Sequence, residues 1–185
     1  MSDEYGDSNT RHSRVLVAGI GNMLMSDDGF GVEVIRHLTA EGAPPLPDGV
    51  EVVDIGIRGM HLAYQLLNGY TFLVLVDAIP PEGQPGKLHL LEHDLAAASA
   101  EPVGVPDAHG MTPDAVLSLL ASLATASGLE PTAGLRRVLV IGCEPASTAD
   151  GIGLSEPVAA AVPRAVQVVH NVVAELLGST QPTGR

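Results

Sequence analysis

Between residues 19 and 38 the chain reads GIGNMLMSDDGFGVEVIRHL, and no other stretch restricts its fold so tightly. A short apolar run, Val15-Leu16-Val17, precedes it, and its second half carries a helical pattern. The segment therefore reads as strand, tight glycine turn, loop and helix. In an open α/β sheet the loops beyond the carboxyl ends of the strands build the functional site. Two adjacent carboxylates, Asp27 and Asp28, stand in this loop between Met25-Ser26 and Gly29. Either can cap the helix that begins near Gly29. One cap needs one carboxylate, which leaves Asp28 as the candidate for function.

The remaining pattern alternates strands and helices. Strands are predicted over Arg14 to Ala18, Val50 to Asp54, Thr71 to Val76, Lys87 to Leu91 and Arg137 to Ile141. The run from Thr71 is continuously apolar and ends in Asp77, as expected of a central parallel strand buried on both faces. Lys87 to Leu91 alternates and fits a sheet edge. Helices are predicted over Gly29 to Leu38, Met60 to Leu67, from Thr112 with Pro113 in its first position, and from about Ser155. In the last helix Val158, Val162, Ala165, Val169, Val172 and Leu176 form one stripe, and Pro163 is expected to kink it. Residues 1 to 13 read as a disordered tail, 14 to 177 as one domain and 178 to 185 as a frayed end. Residues 93 to 111 make a long connection of the kind that is functional or mobile. Alternating strands and helices specify a three-layer α/β/α sandwich.

Composition narrows the class of partner. Asp and Glu number 22 against 9 Lys and Arg, a formal charge of −13, which argues against nucleic acid. It suits solubility and a cationic or basic ligand. Aromatic residues are only 3%, with no Trp, so Val, Leu, Ile and Ala must build the core. The single cysteine, Cys143, allows neither an internal disulfide nor a cysteine zinc site and fits a reducing compartment. The first residues lack an apolar signal core. Pro157 to Leu177, the longest apolar segment, is interrupted by Pro163, Arg164, His170, Asn171 and Glu175, against a membrane span. A cytoplasmic protein is expected.

Three positions have a chemical context. Asp28 follows the first strand, Asp77 ends the most apolar one, and His109 precedes the third helix. Two carboxylates and an imidazole suit a borderline divalent ion such as zinc or nickel. Each also has a structural reading: Asp77 as a strand stop, His109 as a capping or solvated loop residue. HExxH, GxSxG and GxxxxGK[ST] patterns are missing. Leu24 stands where the third glycine of a dinucleotide loop belongs. Cys143 reads as a packed thiol. His12 falls in the tail, His37, His61 and His170 in helices, and His89 and His93 beside the edge strand, where solvation is expected.

Four blocks in register carry a family resemblance: GIGNMLMSDDGFGV, VVDIGIRGMHLAYQLL, FLVLVDAIPPEGQPG and VIGCEPASTADGIGLSEPV. Over nearly all of residues 14 to 177 the chain resembles the nickel–iron hydrogenase maturation endopeptidases. The resemblance implies removal of a short C-terminal extension from the hydrogenase large-subunit precursor after nickel insertion. It matches the family's metal-contacting positions to Asp28, Asp77 and His109, and the aspartate of the second block to Asp54. Ile55 and Ile57 depart from the commoner Gly and Thr of that block. It also implies a mixed, mostly parallel five-stranded sheet, with Lys87 to Leu91 as the antiparallel strand; the oligomeric state is left open by the sequence, with a monomer favoured. Nickel supplied by the precursor is the implied metal, and zinc or another divalent ion can occupy the same ligands. Nickel could be a recognition signal or could polarise the scissile carbonyl or a water; alternatively, a carboxylate serves as general base. Two other functions fit parts of the pattern: a nickel-checking chaperone that cuts nothing, and a peptidyl-transfer-RNA-hydrolase-like enzyme.

Overall fold

The structure is a computed structural model that describes residues 13–95 and 112–179. Its sheet contains β1 (Val15–Ile20), β2 (Val50–Gly56), β3 (Phe72–Ala78), β4 (Leu88–His93) and β5 (Arg137–Cys143). Their spatial order is β2-β1-β3-β5-β4. β1 pairs in parallel with β2 and β3, and β3 with β5, while β4 runs antiparallel to β5 at the edge. The mixed, mostly parallel five-stranded sheet and its antiparallel edge strand agree with the sequence reading.

The α-helices among the described residues are α1 (Phe30–Leu38), α2 (Gly59–Leu66), α3 (Pro113–Ala126) and α4 (Glu156–Gly178). Strand residues alternate between two cores, because successive side chains leave a pleated sheet on opposite faces. Val15, Val17, Val74, Val76 and Ile141 pack with α1 and α4. Leu16, Ala18, Leu73, Leu75 and Val140 pack with α2 and α3. Burial on both faces is why these strands read as unbroken apolar runs. All six residues of the predicted α4 stripe are buried. The helix continues through Pro163, which faces solvent, so water can satisfy the Ala159 carbonyl that the missing N–H leaves free.

All five strands run two residues beyond their expected ends, to Ile20, Gly56, Ala78, His93 and Cys143. The extension brings Asp77 into β3, opposite Gly142 of β5. It also lets α1 begin in backbone contact with the sheet. A Cβ at Gly31 would stand 2.1 Å from the Val76 carbonyl oxygen and 2.3 Å from that of Ile20. Only glycine permits that approach, and it sets the height of the acidic loop above the carboxyl ends of β1 and β3.

Candidate active site

The loop after β1 turns at Gly21, where φ is +135° and a Cβ would lie 1.8 Å from the Asp28 carbonyl oxygen. The next residue, Asn22, donates its backbone N–H to Asp28 Oδ2 at 2.7 Å. A single 3₁₀ turn, Ser26–Gly29, then carries both carboxylates into α1. They diverge completely. Asp27 is fully buried. Its Oδ2 accepts from the N–H groups of Ala146 (2.8 Å) and Ser147 (3.1 Å) and from Ser155 Oγ (2.9 Å), and Oδ1 accepts from Ser155 N–H (2.6 Å). Burial pushes this carboxyl up, but the donors of Ser155, Ser147 and Ala146 outweigh it and hold Asp27 below its ordinary value. The capping expected of one carboxylate is therefore corrected. Gly29 is the N-cap of α1 with no side-chain hydrogen bond, and Asp27 instead fastens the loop after β5 to the loop after β1.

Asp28 faces outward and, with Asp77, lines a cavity of about 290 Å³ whose walls include Gly56, Ile57, Ile79 and Thr112. Asp28 also borders a second cleft, of about 410 Å³, formed with Pro81, Pro145, Ser147 and Thr148. Burial and the neighbouring Asp28 charge push Asp77 up to about 7, against the pull of the Ala78 N–H. Among the described residues, no ion pair neutralises either carboxylate. Two facing carboxylates with unrelieved repulsion form a donor set that fits a divalent cation. His109 lies outside the described residues. Asp54 is exposed, its carbonyl accepts from Arg58 Nη2 at 2.9 Å, and it does not line the cavity with Asp28 and Asp77.

Glu144 has a role that sequence reading missed. It is fully buried, and Oε2 accepts the N–H groups of Glu82 and Gln84, each at 2.9 Å. His89 Nε2 sits 2.8 Å from Oε1. The Gln84 N–H and His89 hold Glu144 down at about 2 despite its desolvation. His89 is thus partly buried and paired rather than simply solvated, and His93 lies 3.0 Å from an Asp114 oxygen. With Glu82, the Glu144–His89 pair brings three potential ligand atoms within 4.8 Å of one another, but its hydrogen bonds already account for the arrangement as a pin for the β3–β4 turn. Cys143 is buried, and desolvation raises its thiol to about 11, far from a nucleophile's range.

A family model described as hydrogenase maturation protease matches residues 32–172. A putative hydrogenase maturation protease of Methanocaldococcus jannaschii is 33% identical over 159 residues, covering 84% of this chain and 93% of that protein. The hydrogenase expression/formation protein HupD of Rhizobium leguminosarum bv. viciae is 32% identical over 163 residues, covering 86% and 74%. Among solved structures, the hydrogenase maturating endopeptidase HybD of Escherichia coli superimposes with a TM-score of 0.65 at 28% identity, covering 88% of this chain and 93% of that one.

Proposed function

The chain belongs to the hydrogenase maturation protease family and is accordingly a hydrolase of peptide bonds, and from that premise we propose that it removes the C-terminal extension of a nickel–iron hydrogenase large-subunit precursor after nickel insertion. The observation that carries the reading is the pair Asp28 and Asp77 in one cavity beyond the carboxyl ends of β1 and β3. With His109, these carboxylates are the proposed contacts to nickel that arrives with the precursor, or to zinc or another divalent ion. Such an ion, when bound, supplies charge that polarises a carbonyl or a water.

The chain's own groups have separable tasks. Asn22 N–H fixes one Asp28 oxygen, leaving the other free to face the clefts. Without a bound cation Asp77 is held up to about 7; a cation held there would displace its proton, so Asp77 acts as a metal contact or, with no ion on it, as a general base. The two clefts that share Asp28 give an extended peptide room on either side of it. The reading includes a cytoplasmic site of action, supported by a lone free cysteine; no helix among the described residues is long and apolar enough to cross a membrane.

The test is mass spectrometry of the large-subunit precursor after incubation with the protein, with and without nickel. Loss of a C-terminal fragment only from the nickel-loaded precursor is expected, and Asp28→Asn and Asp77→Asn should abolish it while leaving the melting transition in place. An intact nickel-loaded precursor would favour the non-cleaving chaperone.

A further inference from the structure

A more apolar concavity, of about 560 Å³, opens between α1 and α4 beside the acidic loop. Leu154, Ala159 and Val162 line its interior, and three large apolar side chains rise around it into solvent: Met23 (57% exposed), Leu24 (66%) and Ile152 (89%). Their exposure is imposed by the backbone. Gly151 N–H donates to the Leu24 carbonyl and Ser26 N–H to the Gly151 carbonyl, each at 2.9 Å. Ser26 Oγ adds a bond to the Ala149 carbonyl at 3.0 Å. Buried Asp27 clamps the same two loops from beneath. Two pinned loops that hold apolar side chains out of the core mark a surface built to be covered.

We infer that this groove docks an apolar segment of the folded precursor while the precursor's C-terminal end lies at Asp28; the inference rests on the function proposed above. Continuity argues for that occupant. Met23, Leu24 and Ser26 belong to the loop that carries Asp28, so a protein held at Asp28 is brought beside the groove mouth. Charge argues against a second copy of this chain, since two molecules of formal charge −13 repel each other. The charged rim offers little net attraction of its own, because Arg36 is paired with Glu33. Recognition here is therefore apolar, and the cleft beyond supplies the polar part.

The test uses the full chain and nickel-loaded precursor. Leu24→Ser and Ile152→Ser, singly and together, are compared with wild type for KM and kcat, with Leu129→Ser as an exposed apolar control elsewhere. The double variant should raise KM about tenfold or more, as expected when large apolar contacts are lost, with kcat and melting temperature unchanged. The control should match wild type. An unchanged KM in the double variant, with wild type active, would overturn the docking assignment and leave the peptidase reading intact. Failure of wild type to cut or bind the precursor would overturn that reading and the groove's occupant with it. A concentration-dependent dimer in sedimentation velocity, dissolved by Ile152→Ser, would assign the groove to a second copy and refute the inference.

Discussion

Asp27 and Asp28 are neighbours with the same side chain, so exchanging each for alanine separates structure from chemistry. Asp27→Ala removes a buried acceptor of four hydrogen bonds and leaves the N–H groups of Ala146, Ser147 and Ser155 without their partner. Charge-assisted bonds contribute more than neutral ones, and stranded donors add a desolvation penalty, but the loop can partly relax into water. The net cost is roughly 3 to 5 kcal/mol. In a domain of this size that corresponds to a melting temperature lower by roughly 6 to 20 °C. Asp27→Asn should fall between, because its amide nitrogen would face an N–H donor on one side. Asp28→Ala loses one hydrogen bond, from Asn22, and also relieves repulsion with Asp77, so its stability should stay within about 1 kcal/mol of wild type. Urea and thermal unfolding run beside the cleavage assay read both effects. Asp27→Ala should lose stability and, with the Asp28 loop unlatched, part of its cleavage together, whereas Asp28→Ala should be inactive with its stability in place. If Asp27→Ala unfolds at the wild-type urea midpoint, the latch does not exist as described.

In chelator-treated protein, Asp77 should make stability fall as pH rises. Its folded pKa of about 7 lies above the unfolded carboxyl value, so the native state binds the extra proton and its advantage is lost between about pH 4 and 7. Asp77→Asn should remove that slope and be more stable than wild type above neutrality, by order of 2 to 4 kcal/mol; equal urea midpoints at pH 8 would contradict this. Cys143→Ala should retain cleavage, and the native thiol should resist iodoacetamide at pH 8 until the protein is unfolded; rapid native labelling would show an accessible thiolate. Glu144→Gln should keep the β3–β4 turn, since one amide oxygen can still accept the Glu82 and Gln84 N–H groups while the amide nitrogen meets His89. Glu144→Ala should speed hydrogen exchange at both amides, and unchanged exchange would remove the pin from the account.

Much of the fold was legible because it follows from local periodicity. The α4 stripe, the edge character of β4 and the burial of β3 each depend on neighbours within one element. Asp28 and Asp77 were legible for a related reason, since a polar residue at the end of an apolar strand falls on the carboxyl rim. Asp27 was not. Its partners lie about 120 residues away in sequence, and a carboxylate that answers distant backbone donors looks identical to one that caps the next helix. The same distance hid Glu144, whose partner His89 is 55 residues earlier and was read as solvated. Pro163 lies within α4, which runs through it as one element with the ring on the solvent side.

The Asp27 latch also bears on when the site can exist. The chain is made from its N-terminus, so the acidic loop emerges well before its partners: Ala146 and Ser155 follow Asp27 by 119 and 128 residues. Until then a carboxylate destined for full burial has no donors and is better left in water. The loop that positions Asp28 therefore locks only once β5 and the following loop are in place. A nascent or C-terminally truncated chain ending before Ser155 would hold β1, β3 and both clefts' acidic residues without the geometry that joins them. Synthesis itself thus acts as the timer that keeps a peptide-cutting site unassembled until its own fold is complete.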